Sequence, residues 1–344
     1  MIKVGIIGCG AITQRRHAPE YAENPDVQIA GFFDVVRERA ESLVHRYGGR
    51  IYDSYQSMLA DREIDAVSIC VANRYHAPIA IEALNAGKHV LCEKPMATSL
   101  EDAERMIRAA EENQRFLMIG HNQRLVPAHI RAKELIKRGE IGRVLSFHTT
   151  FGHSGPESWS VEKGAHTWFF KKKDAFMGVM GDLGIHKADL IRWLIDDEIA
   201  EVQALVATLD KRDEKGNFID VDDNAICILK SRKGIIGTLT ASWTYYGEEN
   251  NSTVLYGTDG YMKICDHPDY PIMIVKKNKE RVYYKVGGIQ TNDNQTKSGV
   301  IDMFIRSIKN NTPPEISGWE GLQALKIVFA CLESAQKGMT VKIS

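Results

Sequence analysis

The sequence predicts an α/β protein in which a doubly wound parallel sheet precedes an α/β domain with a large, mainly antiparallel open sheet. Three observations support this fold class. Strands alternate with helices over residues 1–120, a glycine-rich turn follows the first strand, and consecutive strands without helices fill the middle of the chain. We therefore assign residues 1–122 to the first domain and residues 123–344 to the second, whose last helix can pack back on the first.

Five apolar runs in the first domain are predicted to be strands buried on both faces, because they are nearly continuous in Val, Ile, Leu, Phe and Cys. These runs are KVGII, VQIAGFFD, DAVSICVA, HVLCE and RFLMIG. Helix signals separate them. Thr98 with Glu101 forms a capping box, and Pro78 and Gly87 mark the first turn and the end of another helix. This alternation predicts the parallel sheet.

In the second domain the hydrophobic pattern no longer alternates between strand and helix. Strand patterns now follow one another, with Gly, Asn and Asp between them. They are GRVLSFHTTF, AEVQALVATL, NAICILKS, GIIGTLTASWTY, NSTVLYGT and RVYYKV. The helix DLGIHKADLIRWLI interrupts them, and helices over residues 298–310 and 319–337 end the chain. With helices on one sheet face, the residues expected on the other are Val206, Ile228, Leu239 and Trp243. An uncovered apolar face predicts a homodimer or homotetramer joined sheet to sheet.

Composition excludes several classes of protein. The 344 residues include 44 basic and 45 acidic side chains, so no net charge draws the chain to nucleic acid or a membrane surface. Six scattered cysteines show neither metal-ligand nor disulfide spacing, and we expect reduced thiols and no metal. The N-terminus lacks a signal-peptide pattern, and no window is apolar over 18 residues, so we expect a cytoplasmic protein.

The stretch VGIIGCGAIT places a glycine-rich turn between the first strand and a helix. Gly8 permits the tight turn, Gly10 lets a pyrophosphate approach, and the helix start at Ala11 and Ile12 supplies amide donors. Asp34 ends the second strand, where a carboxylate accepts hydrogen bonds from a ribose. Together they predict a Rossmann dinucleotide site that prefers NAD over NADP, since a carboxylate repels a 2′-phosphate. A turn needed only for packing is the alternative.

Three neighbouring residues complicate this site. Thr13 stands where a third Gly or Ala would pack the helix on the strand, so its side chain either displaces the helix or offers a phosphate another donor. Arg37 and Arg39 lie close to Asp34 in sequence, either as solvated helix residues or as cations near the ribose. The cofactor preference therefore depends on where these two arginines point.

The chain resembles the glucose-fructose oxidoreductase / inositol dehydrogenase / MocA family of NAD(P)-dependent oxidoreductases over nearly its whole length. The motifs that carry the resemblance are GIIGCGAI, VANRYHAPIAIEALNAGKHVLCEKPMA, GHNQRL, GDLGIHKADLIRWL and GLQALKIVFACLESAQKG. The EKP after the fifth strand and the D-x-x-x-H of the middle helix are its specific marks. The resemblance implies a Rossmann domain, a second domain that often forms oligomer contacts, and a cis peptide before the proline of EKP.

The same two marks supply the candidate catalytic residues Lys94, Asp182 and His186. Lys94 follows a buried strand at the sheet edge where ligands bind, and the alternative is a solvated loop charge. On a helix, residues four apart lie on one face about 6 Å apart at Cβ, which places Asp182 beside His186. The resemblance implies that His186 is the general acid or base and that Asp182 orients it and contacts substrate. An N-cap aspartate with an interior histidine is the alternative, and Asp189 is a rival partner of His186.

Weaker marks complete the predicted site. The resemblance implies cofactor contacts for Ala72, Asn73, His76, Glu93, Lys94 and Asn122, and substrate contacts for Lys94, Arg124, Trp168, Asp182 and His186. Loop, helix-cap and surface roles remain open for Asn73, His76, Asn122 and Arg124. Phe169 replaces an arginine of the family pattern, which leaves the substrate's identity open. Trp159, Trp168 and Tyr245 are candidate apolar walls for a sugar ring, or core residues.

The function expected from these observations is NAD-dependent oxidation or reduction of a secondary alcohol in a sugar, cyclitol or related polyol. His186 would take the hydroxyl proton while Lys94 polarises the oxygen. A non-catalytic dinucleotide-binding regulator would have no need of Lys94, Asp182 and His186 together. An NAD-dependent glycosidase of the same family would keep all three, so the sequence leaves that alternative open.

Overall fold

A parallel sheet of six strands forms the first domain of the computed structural model, which describes residues 1–287 and 297–343. Its strands are β1 Ile2–Ile7, β2 Val27–Phe33, β3 Arg50–Ile51, β4 Ala66–Ile69, β5 His89–Cys92 and β6 Leu117–Ile119. Their order is β3-β2-β1-β4-β5-β6. The strands are parallel, but the direction in which successive strands are added to the sheet reverses between β1 and β4. The carboxyl ends of these two strands therefore form a crevice suited to a ligand.

The predicted strands of this domain are all present, since each apolar run is buried between helices on both faces of the sheet. The helices are α1 Ala18–Glu23, α2 Arg37–Tyr47, α3 Tyr55–Ala60, α4 His76–Asn85 and α5 Leu100–Glu112. The predicted cap of α5 is wrong by one residue. Ser99, not Thr98, accepts the amide hydrogen of Asp102 at 3.1 Å, because the helix begins at Leu100.

A second sheet of nine strands forms the other domain, in the order β14-β13-β12-β11-β7-β10-β9-β8-β15. All pairs are antiparallel except β7 with β10, which confirms the mainly antiparallel sheet. Its strands are β7 Val144–Gly152, β8 Ile199–Ala207, β9 Asn224–Ser231, β10 Ile236–Ser242, β11 Thr253–Gly257, β12 Gly260–Ile264, β13 Ile272–Lys276, β14 Arg281–Tyr284 and β15 Val341–Lys342. The strands β3, β12, β13 and β15 had no predicted run, and β3 and β15, of two residues each, are too short to show a period.

Helices cover one face of the second sheet. The helices that contact it are α6 Pro127–Lys137, α8 Ile185–Ile195 and α10 Gly318–Lys337, while α7 Lys172–Ala175 lies near the cleft. The remaining helix, α9 Val300–Asn310, packs on α1 and the core of the first domain instead. The C-terminal helix α10 packs on β8 and α8 of the second domain and also contacts α5 and β6 of the first. Within the described ranges, no helix has both the length and the apolar character needed to span a bilayer.

The uncovered face of the second sheet differs from the prediction. Leu239 and Trp243 are fully buried, whereas Ile228 is 56% exposed and Val206 is partly buried. Leu239 pairs with Cys227 in the register, and both side chains point to the face that the helices cover. Because neighbouring residues of a strand point to opposite faces, Ile228 points to the uncovered face. The exposed apolar side chains of that face are Leu205, Ile226, Ile228 and Ile236.

Candidate active site

A cleft of about 430 Å³ lies where the carboxyl ends of β1, β4 and β5 meet the second domain. From the first domain it is lined by the glycine turn, Asp34, residues 70–76 and residues 93–95. From the second domain it is lined by residues 159–162 and 181–183 and by His186. The cleft therefore brings the predicted dinucleotide turn and the predicted catalytic residues to one place.

The two glycines of the turn serve different needs. Gly8 has φ of 94°, and a Cβ there would lie 2.3 Å from the carbonyl oxygen of Cys70, so the fold itself requires glycine. Apart from its chain neighbours, a Cβ on Gly10 would meet no atom of a described residue within 4 Å, and Gly10 lines the cleft with Ala11 and Ile12. Packing leaves Gly10 free, which fits a backbone kept bare for a close-lying pyrophosphate.

Thr13 directs its hydroxyl to the backbone of the glycine turn and does not belong to the cleft lining formed by the described residues. The hydroxyl donates to the carbonyl oxygen of Gly8 at 2.6 Å, and the residue is fully buried. The helix that follows the turn begins as a wider π-helical segment, Thr13–His17, before α1. The carbonyl oxygen of Gly8 therefore occupies the donor that was predicted for a phosphate, and displacement of the helix by Thr13 stays a prediction.

Asp34 lies at the cleft with its carboxylate held by backbone amides. Oδ2 accepts from the amide of Cys9 at 2.6 Å, and Oδ1 accepts from the amide of Val36 at 2.8 Å. Arg39 approaches Oδ1 to 4.0 Å and also lines the cleft. Arg37 instead pairs with acidic residues on the surface and is largely exposed, so it is the solvated helix residue of the two.

Lys94 and Asp182 form an ion pair across the two domains. The ammonium donates to Asp182 Oδ1 at 2.8 Å and to the carbonyl oxygen of Asp182 at 2.9 Å. The other carboxylate oxygen, Oδ2, accepts from the indole of Trp243 at 3.1 Å. Only 15% of the Lys94 side chain is exposed, so Lys94 is not a solvated loop charge. The peptide between Lys94 and Pro95 is cis, as the resemblance implied.

His186 lies in the same cleft, one helical turn beyond Asp182. Its ring packs against Phe151 at 5.9 Å and against His121 at 6.4 Å between centroids, and its buried Nδ1 has no hydrogen-bond partner among the residues that the structure describes. Burial lowers the pKa of His186 well below its usual value, and the charge of Lys94 lowers it further. The imidazole is therefore neutral at pH 7 and can accept a proton.

The predicted orientation of His186 by Asp182 is not what the structure shows, because the carboxylate of Asp182 is engaged by Lys94 and Trp243. Asp189, the rival partner, is held by Arg124 through two bonds of 2.8 and 2.6 Å. The helix that carries these residues begins as a π-helical segment, Met180–Gly184, which departs from the α-helical spacing assumed for the pair.

The predicted substrate role of Arg124 is not supported by its placement. Besides Asp189, its guanidinium donates to Glu320 at 2.5 Å, so two carboxylates already satisfy it. Arg124 and Asn122 are both buried, and neither belongs to the cleft lining formed by the described residues. The contacts of Arg124 join the segment Asn122–Leu125, which follows the first domain directly in sequence, to α8 and α10 of the second domain.

The loop over the cleft places Ala72, Asn73 and His76 on its lining. The side-chain amide of Asn73 donates to the carbonyl oxygen of Ala175 at 2.9 Å, which joins the loop to the second domain. The ring nitrogens of His76 lie 2.7 Å from the carbonyl oxygen of Pro95 and 3.0 Å from that of Val71. His76 thus fixes the loop to the Lys94–Pro95 segment.

A buried pair beneath Lys94 was missed by the sequence reasoning. His17 Nε2 lies 2.9 Å from Glu93 Oε1, and His17 Nδ1 lies 2.8 Å from Ser68 Oγ. Burial alone would raise the pKa of Glu93, but the hydrogen bond and charge of His17 outweigh it and lower the pKa to about 2. No local pattern could have paired His17 with Glu93, because the β1–α1 and β5 segments that carry them are distant in sequence.

Aromatic side chains from the second domain line one side of the cleft. Trp168 stacks on Phe169 with centroids 3.9 Å apart, and Trp159 meets Phe169 edge-on at 5.1 Å. Tyr245, the third aromatic candidate, packs its ring over Gly152, where a Cβ would come within 2.3 Å of it. Trp159 and Trp168 are thus the two predicted aromatic residues that face the cleft.

Comparison with known proteins agrees with this architecture. Residues 2–121 match a family model described as an oxidoreductase family with an NAD-binding Rossmann fold. Residues 129–263 match the model of a GFO/IDH/MocA C-terminal domain. The two matches together cover well over half of the chain.

Individual relatives match over most of their length. Levoglucosan dehydrogenase of Pseudarthrobacter phenanthrenivorans is 31% identical over 287 residues, which are 75% of this chain and 72% of that protein. Myo-inositol 2-dehydrogenase of Thermotoga maritima is 25% identical over 344 residues, covering 99% and 98% of the two chains. A crystal structure of levoglucosan dehydrogenase in complex with NADH and levoglucosan superposes with a TM-score of 0.87 at 26% identity, covering 99% of each chain.

Proposed function

The chain belongs to the GFO/IDH/MocA family of oxidoreductases with an NAD-binding Rossmann domain, and we propose that it moves a hydride between NAD and a secondary alcohol of a sugar, cyclitol or related polyol. The observation that carries the proposal is the convergence of Lys94, Asp182 and His186 in the cleft that also contains Gly10 and Asp34. An acid–base set and a dinucleotide turn in one cleft are what such a reaction requires.

The residues that would hold the cofactor follow from the cleft lining. Gly10, Ala11 and Ile12 lie where the pyrophosphate would rest, and Asp34 lies where the adenosine ribose would be bound. Ala72, Asn73, His76 and Glu93 line the part of the cleft that leads from the turn to Lys94. Bound NAD supplies the hydride acceptor or donor of the reaction.

His186 is proposed as the general base during alcohol oxidation. Because its pKa is lowered by burial and by the charge of Lys94, the imidazole is neutral at pH 7 and can take the hydroxyl proton. The ammonium of Lys94 would donate a hydrogen bond to the same oxygen and stabilise negative charge that develops there. In the reverse direction, the protonated His186 returns the proton to the carbonyl oxygen.

Asp182 is proposed to act mainly through Lys94. Its carboxylate and its carbonyl oxygen both accept from the ammonium, which fixes the direction of the third N–H of Lys94. Trp243 fixes the carboxylate in turn. A lysine held at two points loses little freedom when substrate binds, so the hydrogen bond to the substrate oxygen is prepared in advance.

A polyol substrate is supported by the chemistry of the cleft and by the relatives. Trp159 and Trp168 offer apolar ring faces, while Lys94, Asp182 and His186 offer polar groups in the same cleft. The relatives act on levoglucosan and on myo-inositol, which are both ring compounds with several secondary hydroxyls. We extend that substrate class, and no single member of it, to this chain.

The test is formation of NADH, followed by its near-ultraviolet absorbance, with NAD and a panel of cyclic polyols that includes levoglucosan and myo-inositol. A dehydrogenase gives net NADH with at least one member. Binding of NAD without turnover on any panel member contradicts the proposal and favours a regulator. Cleavage of glycosides without net NADH contradicts it in favour of a glycosidase.

A further inference from the structure

We propose that Glu162, on the second domain, helps to set cofactor specificity by occupying Arg39, so that the cleft rejects a 2′-phosphate. The inference deepens the proposed function and rests on the NAD site assigned there. It answers the question that Arg39 raised in the sequence, namely whether a cation beside Asp34 could admit NADP.

The position of Arg39 makes the question concrete. Arg39 lies in the first turn of α2, five residues after Asp34, which follows β2, and it lines the cleft with Asp34 and Val35. In Rossmann domains an arginine near this position is the group that accommodates the 2′-phosphate of NADP. A guanidinium also forms bidentate hydrogen bonds with phosphate. Judged from the first domain alone, Arg39 would therefore favour NADP.

Contacts with the second domain argue against this preference of Arg39 for NADP. A terminal nitrogen of Arg39 donates to Glu162 Oε1 at 2.8 Å, and the other terminal nitrogen lies 4.0 Å from Asp34 Oδ1. One cation therefore lies between two carboxylates that come from different domains. A 2′-phosphate placed here would have to displace Glu162 from Arg39 before it could bind the guanidinium, so the cation is not available to NADP.

Glu162 is held in a position to do this. It follows Trp159, Ser160 and Val161 on the stretch that lines the cleft from the second domain. The hydroxyl of Ser160 donates to the carbonyl oxygen of Glu162 at 2.7 Å, which closes a tight local turn. Its side chain is 47% exposed while that of Arg39 is 23% exposed, so the pair lies at the rim of the cleft and not in the core.

Exposure also sets the expected size of the effect. Ion pairs that water reaches contribute little to stability by themselves, so the selectivity must come from keeping the guanidinium of Arg39 away from the incoming phosphate. We expect Glu162→Gln to lower the ratio of the NADPH to the NADH dissociation constant by about tenfold, and less at high salt. Added salt screens the attraction between the freed Arg39 guanidinium and the phosphate.

The experiment is fluorescence titration of the full-length protein with NADH and with NADPH, which measures binding and needs no substrate. The variants are wild type, Glu162→Gln, Arg39→Met and the double variant Glu162→Gln/Arg39→Met. Glu214→Gln removes an exposed carboxylate of the same domain that does not line the cleft and serves as the matched control. We expect the ratio of the NADPH to the NADH dissociation constant to fall for Glu162→Gln alone. The double variant and the control should keep the wild-type ratio.

The outcomes separate this inference from the proposed function. Wild-type protein that binds neither dinucleotide overturns both. Wild-type protein that prefers NADH, with a ratio that Glu162→Gln leaves unchanged, overturns the inference alone. A gain in NADPH affinity that persists in the double variant also overturns it, because Glu162 would then act by its charge and not through Arg39.

Discussion

The ammonium of Lys94 lies 2.8 Å from Asp182 Oδ1, which joins the end of β5 in the first domain to the π-helical segment that precedes α8 in the second. Each residue is far from the other in sequence, and each lines the cleft. The acid–base site is therefore complete only when the two domains are in contact. Any change that loosens this contact should affect turnover before it affects the binding of the cofactor's adenosine half.

Asp182→Asn tests the role of this ion pair. The amide keeps the size of the side chain and an oxygen acceptor, but it removes the charge that holds the Lys94 ammonium. We expect kcat to fall by about one to two orders of magnitude, because a positioned acid–base group is displaced while the cofactor site stays intact. Steady-state kinetics and NAD titration on the same preparations measure both quantities.

Trp243→Phe is the matched control for that variant. It removes the indole donor to Asp182 Oδ2 and leaves the ion pair with Lys94 in place. A smaller loss of kcat than in Asp182→Asn is expected. If Asp182→Asn turns over at the wild-type rate, the carboxylate is not what positions Lys94.

Asp34→Ser tests the ribose site. Serine removes the charge that favours a ribose with two free hydroxyls, so the KM for NAD should rise and its advantage over NADP should narrow. Because the Asp34 carboxylate also accepts from the amides of Cys9 and Val36, Asp34→Asn, which keeps one acceptor for them, is the control. Wild-type protein that uses NADP better than NAD would contradict the assignment.

Local patterns in the sequence predict the elements well but not their long-range partners. The glycine turn, the buried strands and the cis proline segment are encoded within a few residues, and each is present in the structure. The ion-pair partners of Arg39 and Arg124 are not encoded locally, because Glu162 and Glu320 come from other elements of the fold. Trp243 was assigned to the wrong sheet face because an apolar strand on a half-covered sheet does not show which side is covered.

The exposed face of the second sheet predicts self-association. Leu205 pairs with Ile226 in the register of β8 and β9 and is 78% exposed, while Ile226 is 58% exposed. We expect a dimer or tetramer by light scattering at micromolar concentration, and we expect Ile226→Glu to dissociate it, because a buried unpaired carboxylate is costly. Ser42→Glu, which adds a carboxylate at an exposed position of α2, is the control. A monomeric wild-type protein would exclude this assembly.

Buried histidines predict loss of stability in mild acid. Burial, with the charge of Lys187, lowers the pKa of His129 to about 3 in the folded protein, against about 6.5 when unfolded. The unfolded chain therefore binds more protons between these values. The contribution of His129 is complete above about pH 6.5 and falls by about 1.4 kcal/mol per pH unit as the pH drops towards 3.

Urea unfolding of wild type and His129→Asn at several pH values between about 7 and 4.5 measures this slope. Asparagine can still donate to the carbonyl oxygen of Gln123, which His129 Nδ1 contacts at 2.7 Å. We expect the free energy of unfolding of the variant to fall less steeply as the pH drops. The difference in slope should correspond to the uptake of about one proton on unfolding. His45→Asn, on the exposed side of α2, controls for loss of a surface histidine. Equal slopes for wild type and His129→Asn would show that this histidine does not resist protonation.

The combined removal of Lys94 and His186 tests the proposed chemistry directly. If both act on one substrate oxygen, Lys94→Ala and His186→Ala should each lower kcat by about two to four orders of magnitude, the range for positioned acid–base groups. NAD affinity should change little, because neither side chain lies at the glycine turn or at Asp34. Since the two would work as one unit, the double variant should be scarcely slower than the slower single variant. Stopped-flow turnover with NAD titration on all three variants decides between the candidates. Near wild-type turnover by His186→Ala would mean that the base is misassigned, and Lys94, already held by Asp182 at 2.8 Å, would become the leading alternative.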